Sequence, residues 1–62
     1  MEVQTAKIVR RLKKDGWYLE RNGGEHDVYR HPEIEGVITV PRHKKLSPGV
    51  AGSIYRKAGW AR

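Results

Sequence analysis

A histidine placed shortly after a glycine pair is the residue of this chain best suited to chemistry. Residues 23–32 read GGEHDVYRHP, so His26 follows Gly23 and Gly24 with one residue between, and the motif PRH begins nine residues after this segment, at Pro41. Glycines let the chain turn tightly, which would leave the imidazole exposed at the start of a strand. Because an imidazole can take up or release a proton near neutral pH, His26 is a candidate general acid or base. A surface histidine in a turn would give the same pattern.

Two carboxylates flank this histidine. Glu25 precedes it and Asp27 follows it, and negative charges so close would favour the protonated imidazole and repel a phosphate group. Glu25 could instead be a second proton-transfer group, so both interpretations of this residue stay open. Asp27 is interpreted as an ordinary solvated side chain.

The other two histidines, His31 and His43, raise the question of a metal site. His26 and His31 are five residues apart on a predicted strand, and side chains alternate along a strand, so the two imidazoles would lie on opposite faces. The spacing therefore predicts neither a metal site nor a cofactor. His43 follows the third predicted strand, where it could contact a substrate or fill a hydrogen-bonded corner.

The charge of the chain points to a polyanionic partner. The 62 residues contain 13 Lys and Arg against 7 Asp and Glu, which gives a formal net charge of +6 and a pI near 10.1. Nucleic acid is the first candidate for such a partner. If the polyanion is RNA, His26 could activate a ribose 2′-hydroxyl for attack on the adjacent phosphorus, a reaction that needs no metal and that DNA cannot undergo.

Basic side chains and free backbone amides near the histidines are the predicted contacts to RNA. An arginine offers a fork of donors to a phosphate, and the N-terminus of a helix offers unpaired N–H groups. These features assign the RNA contacts to Arg21, Gly24, Arg30, Arg42, His43, Lys44, Lys45 and Ser47.

The length predicts one domain, residues 1–62, with a small core. The chain has no cysteine and hence no disulfide to stabilise it, so a homo-oligomer or a hetero-oligomer with a partner is an open expectation. No apolar run reaches the length of a signal peptide or the roughly 20 residues of a membrane span, which predicts a cytoplasmic protein without membrane contact.

Turn and cap residues divide the chain into five elements. Thr5 is a predicted helix cap, and Gly16 can supply the left-handed conformation that ends a helix. Pro41 should stop the third strand, and Ser47 followed by proline should start the second helix. The predicted elements are a helix between Thr5 and Gly16, strands over 17–22, 26–31 and 37–40, and a helix between Ser47 and Gly59. The predicted class is α+β, an α-β-β-β-α chain with a three-stranded antiparallel sheet and two helices on one face, as in double-stranded-RNA-binding domains.

The order of several short motifs resembles one known family. These motifs are Asp15-Gly16-Trp17 after a basic helix, Gly24-Glu25-His26, Tyr29-Arg30-His31-Pro32, Val40-Pro41-Arg42-His43, Leu46-Ser47-Pro48-Gly49 and Ala58-Gly59. Together they resemble the HicA family, also called YcfA-like, toxins of bacterial and archaeal toxin–antitoxin pairs. The resemblance implies a small endoribonuclease that cleaves mRNA and is inhibited by a HicB antitoxin.

The resemblance also bears on individual residues. His26 matches the single histidine on which activity of the family depends. Glu25 departs from the family, which usually has Ser or Asn at this position.

Two other functions are compatible with the same residues. The alternative is a non-catalytic RNA-binding module of the same fold, in which His26 only contacts phosphate or ribose. A basic adaptor that binds an acidic protein is a third hypothesis, and the exposed Lys and Arg of the first helix would suit it.

Overall fold

The computed structural model describes residues 1–61 of the chain. The elements are α1 (Thr5–Lys14), β1 (Tyr18–Asn22), β2 (His26–Arg30), β3 (Val37–Pro41) and α2 (Pro48–Ala58). The predicted α-β-β-β-α order is therefore confirmed, and the predicted boundaries differ from these by only a few residues.

The three strands form an antiparallel sheet in the order β1-β2-β3. His26 pairs with Pro41 and Tyr29 pairs with Ile38. Because side chains alternate along a strand, Asp27 and Tyr29 lie on one face of the sheet and His26 and Arg30 on the other. Tyr29 and Ile38 are buried in the core, so His26 lies on the opposite, open face, which we call the outer face.

Both helices pack on the core face of the sheet. The α1 residues Ile8 and Leu12 are buried with the α2 residues Ala51 and Ile54 in one hydrophobic cluster. They lie there because Ile8 and Leu12, like Ala51 and Ile54, are spaced to share one side of a helix. This two-layer arrangement confirms the predicted placement of the helices.

Two details of the predicted boundaries are wrong. Thr5 is not the cap of α1: Gln4 occupies that position without a side-chain hydrogen bond, and the Thr5 hydroxyl instead donates to the main-chain oxygen of His43. Pro41 does not stop β3, because it pairs with His26 as the last strand residue. Proline is tolerated there because its missing N–H would point away from β2.

The predicted limits of α2 are confirmed. The Ser47 hydroxyl accepts a hydrogen bond from the Val50 N–H at 3.3 Å, and Gly59 ends the helix with a left-handed φ of 77°. Ser47 is therefore the cap of α2.

The N-termini of both helices lie at the same end of the sheet. The segment after β3 is joined to the N-terminal segment by bonds from Thr5 N–H to Lys44 O at 3.1 Å and from Leu46 N–H to Val3 O at 2.8 Å. The β1–β2 turn lies at this same end, since Arg42 N–H donates to Glu25 O at 3.0 Å. We call this region, residues 23–26 and 41–49 with the start of α1, the His26 end.

Candidate active site

His26 is exposed at the first position of β2. The backbone of Gly23 lies against the backbone of His26, because a Cβ added at Gly23 would lie 2.7 Å from the main-chain oxygen of His26. A side chain at position 23 would therefore displace the strand that carries the imidazole. The predicted exposure of His26 after a tight turn matches the position it takes.

Gly24 is a glycine that the fold does not require. A Cβ there would meet nothing within 4 Å, and its φ is not positive. Its effect is to leave the approach to His26 unobstructed. This suits the predicted contact between Gly24 and a substrate.

The two flanking carboxylates have different surroundings. Asp27 is half-buried on the core face, and its Oδ1 accepts hydrogen bonds from Arg42 Nε at 3.0 Å and Nη2 at 2.9 Å. The interpretation of Asp27 as a solvated side chain is therefore wrong, and Arg42 compensates its charge. Glu25 is exposed beside His26 and forms no ion pair within residues 1–61. Glu25 is thus the carboxylate that could act on the imidazole.

The three arginines predicted to hold phosphates are not brought together. Arg42 lies at the His26 end but is paired with Asp27. Arg21 is exposed opposite Val28, and this register places it on the outer face with His26. Arg30 lies at the far end of β2, about 13 Å from His26 at about 3.3 Å per residue.

Arg30 also has a partner of its own. Its Nε lies 2.5 Å from a carboxylate oxygen of Glu20, and this hydrogen bond raises the pKa of Arg30. Arg30 is consequently remote from His26 and already engaged by an anion.

The remaining predicted contacts lie in the segment between β3 and α2. His43, Lys44, Lys45 and Ser47 are all exposed at the His26 end. Neither lysine forms an ion pair within the part of the chain that the structure describes. The Ser47 oxygen caps α2, but its hydroxyl proton remains available to a ligand.

Helix dipoles add to the positive charge of this end. Neither α1 nor α2 has an acidic residue in its first turn. At α1 the Glu2 carboxylate accepts from the N–H groups of Val3 and Gln4, so the partial positive charge of the N-terminus is offset at α1 and not at α2. Together with Lys44 and Lys45, the α2 N-terminus makes the His26 end a favourable place for a phosphate.

His31 lies outside this region and has a structural role that the sequence analysis did not identify. Its Nε2 lies 2.9 Å from the main-chain oxygen of Asp15, and its Nδ1 accepts from Glu33 N–H at 3.0 Å. In the sequence, the motif Asp15-Gly16-Trp17 was the signal that could have indicated this role, since Gly16 and Trp17 both lie against the ring of His31. Within residues 1–61, no three His, Cys, Asp or Glu side chains are grouped so that they could hold a metal ion.

A family model described as HicA toxin of bacterial toxin-antitoxin matches residues 5–60 of the chain. The chain therefore belongs to the HicA toxin family, and the predicted membership is confirmed. Membership implies an antitoxin partner. No curated protein matches the chain.

No helix within the described residues is long and apolar enough to cross a bilayer.

Proposed function

We propose that this toxin is a metal-independent endoribonuclease that cleaves mRNA in the cytoplasm and is inhibited by a HicB-like antitoxin. The observation that carries the proposal is the position of His26: an exposed imidazole at the end of the sheet where two helix N-termini and two exposed lysines meet. A proton-transfer group and a phosphate-binding surface are thereby adjacent, in a member of a toxin family.

The reaction that fits these groups is transesterification at phosphorus. His26 takes the proton of a ribose 2′-hydroxyl, the 2′-oxygen bonds to the adjacent phosphorus, and the bond to the 5′-oxygen breaks. The leaving 5′-oxygen takes a proton from Glu25, from the protonated His26 or from water. The products are a 2′,3′-cyclic phosphate and a 5′-hydroxyl, so no atom is lost and no oxidant is needed.

The neighbouring residues are assigned to the substrate backbone. Lys44, Lys45 and the Gly49 N–H in the first turn of α2 bind phosphates next to the scissile one. Gly24 allows the ribose to approach the imidazole. Arg21 binds the RNA backbone where the RNA crosses the outer face of the sheet. Arg42 contributes through the guanidinium donors that Asp27 does not occupy.

A non-catalytic RNA-binding module is the second candidate, and one observation favours it. The imidazole of His26 has no hydrogen-bond partner within residues 1–61, whereas a catalytic base is commonly oriented by another group. In that case the same surface binds RNA and His26 contacts phosphate without transferring a proton.

Cleavage of a defined RNA by the purified chain tests the proposal. We expect His26→Gln to lower the rate by about 100- to 10,000-fold, whereas His43→Gln, at an exposed histidine of the same end, has a much smaller effect. A substrate with deoxyribose at the cut site should be inert, and cleavage should persist in excess chelator. Circular dichroism must confirm that both variants are folded.

The outcomes separate the candidates. A folded His26→Gln variant with full activity contradicts the catalytic role. Tight RNA binding by the wild-type chain without cleavage supports the binding module. Loss of activity in chelator with recovery in Zn²⁺ contradicts a metal-independent reaction.

A further inference from the structure

The sheet has two open edges, and β1 is better protected than β3 against pairing with another strand. β1 carries the charged residues Glu20 and Arg21, and its register is irregular between Leu19 and Arg21. Charges and bulges are the usual means by which edge strands avoid intermolecular pairing. β3, with the sequence VITVP, has neither a charge nor an irregular register.

The hydrogen-bond pattern identifies which groups of β3 point away from the sheet. Arg42 N–H bonds to Glu25 O, so Glu25 and Arg42 form a hydrogen-bonded pair of the β2–β3 ladder. Such pairs alternate along an antiparallel ladder, which turns the backbone of Ile38 and Val40 toward β2. The backbone groups of Val37, Thr39 and Pro41 therefore point outward.

These outward groups have no partner within the described chain. Neither the N–H and C=O of Val37 and Thr39 nor the C=O of Pro41 bonds to any other segment of residues 1–61. Thr39 is exposed and Val37 half-buried. β3 thus presents a regular, uncharged row of donors and acceptors to its surroundings.

We propose that β3 pairs antiparallel with β3 of a second copy of this chain, about a twofold axis that passes between the two Thr39 residues. In this register the Thr39 residues exchange N–H···O=C bonds. Val37 N–H of each copy donates to Pro41 C=O of the other. Pro41 has no N–H to contribute, and its position at the margin of the pairing is where that loss matters least.

Charge complementarity favours a second copy as the occupant. The exposed residues Glu33 and Glu35 precede β3, and the exposed basic residues His43 and Lys45 follow it. Antiparallel pairing therefore places the acidic start of one copy near the basic end of the other. None of these four side chains forms an ion pair within residues 1–61. The twofold axis repeats the contact, so each copy supplies one basic and one acidic segment.

The assembly would be a six-stranded sheet with all four helices on one side. A twofold axis between antiparallel strands is perpendicular to the sheet, so both outer faces lie on the same side. His26 itself lies on the outer face and would remain exposed, whereas His43 and Lys45 of the His26 end would face the second copy. The inference rests on the open edge of β3 and not on how His26 acts.

The decisive measurement combines molecular mass with the exchange of single amides. We expect the full chain in 150 mM salt, where charges are screened beyond about 8 Å, to change from monomer to dimer with concentration in sedimentation equilibrium. The Thr39 and Val37 amides should become protected in nuclear magnetic resonance hydrogen exchange over the same range. The Ile38 and Val40 amides should be protected throughout.

Two kinds of variant keep the test specific. Thr39→Pro removes an outward N–H that the chain itself does not use and should abolish the dimer, whereas Thr39→Val keeps the N–H and should retain it. If Thr39→Pro does not fold, a charge exchange replaces it: Glu33→Lys and Lys45→Glu should each weaken the dimer, and the two together should restore it.

A chain that stays monomeric at millimolar concentration, with Thr39 and Val37 exchanging freely, overturns the proposal. Protection of these amides only when the antitoxin is added also overturns it and assigns the edge to the antitoxin. A dimer that Thr39→Pro and the single charge variants leave unchanged places the interface elsewhere.

Discussion

The Nε2 atom of His31 lies 2.9 Å from the main-chain oxygen of Asp15 and joins the end of α1 to the turn after β2. Because Nδ1 of His31 accepts from Glu33 N–H, the ring proton is on Nε2 and is donated to Asp15. Gly16 has φ +101° and lies so close that a Cβ there would be 2.9 Å from this Nε2. The motifs Asp15-Gly16 and His31-Pro32 are thus held against each other by the His31 ring.

We predict that His31→Ala destabilises the fold by about 1 kcal/mol, because it removes the two hydrogen bonds that join Asp15 to Glu33 through the ring, and water can replace them only in part. Urea denaturation followed by Trp fluorescence measures this. His43→Ala, which removes an exposed imidazole, should cost much less. At a temperature where both variants are folded, His31→Ala should cleave RNA at close to the wild-type rate. A loss of cleavage in the folded variant would mean that His31 belongs to the site.

Gly49→Ala should stabilise the protein and weaken its action on RNA. Gly49 lies in the first turn of α2 without a positive φ, and a Cβ there would meet nothing within 4 Å. Alanine should therefore add about 0.5–1 kcal/mol to the free energy of unfolding. The same methyl group would obstruct a phosphate at the helix N-terminus, so the apparent Kd for RNA should rise.

Gly59→Ala is the control for this change, since its surroundings are equally open but its φ is +77°. It should destabilise the fold and leave RNA affinity unchanged once corrected for the unfolded fraction. If Gly49→Ala binds RNA as tightly as wild type, the start of α2 does not contact the substrate.

Glu25→Asn should raise cleavage and tighten RNA binding, most visibly at low salt. The reason is that Glu25 has no ion-pair partner within residues 1–61, so its charge repels an incoming phosphate. A profile of cleavage rate against pH measures the effect, with Glu33→Gln at the opposite end of the sheet as the matched control. A lower rate and the loss of one limb of the profile would instead identify Glu25 as the second acid or base.

Stability should fall above about pH 10, and Tyr29 should account for part of the loss. Burial, with a smaller effect of Asp27, raises the pKa of Tyr29 in the folded state. A raised pKa means that the contribution is complete below the unfolded value of about 10 and declines as pH rises above it, because the unfolded chain ionises first. Urea titrations at several alkaline pH values should show a shallower decline for Tyr29→Phe. Tyr18→Phe, at a residue 47% exposed, should leave the slope unchanged.

Local patterns in the sequence determined the elements and the exposed histidine. Ser47 caps α2 and Gly59 ends it as predicted, since a cap depends only on residues within one turn. The turn before His26 follows in the same way from the two adjacent glycines. The family was also recognisable, because the order of short motifs needs no knowledge of their contacts.

Only the tertiary structure decided the long-range partners of the charged residues. Arg42 and Asp27 are 15 residues apart in sequence, and their pairing depends on the register between β2 and β3. The register between β1 and β2 places Arg30 beside Glu20, and the docking of α1 against the β2–β3 turn gives His31 its structural role. Such contacts follow from packing and strand alignment, which adjacent residues do not specify.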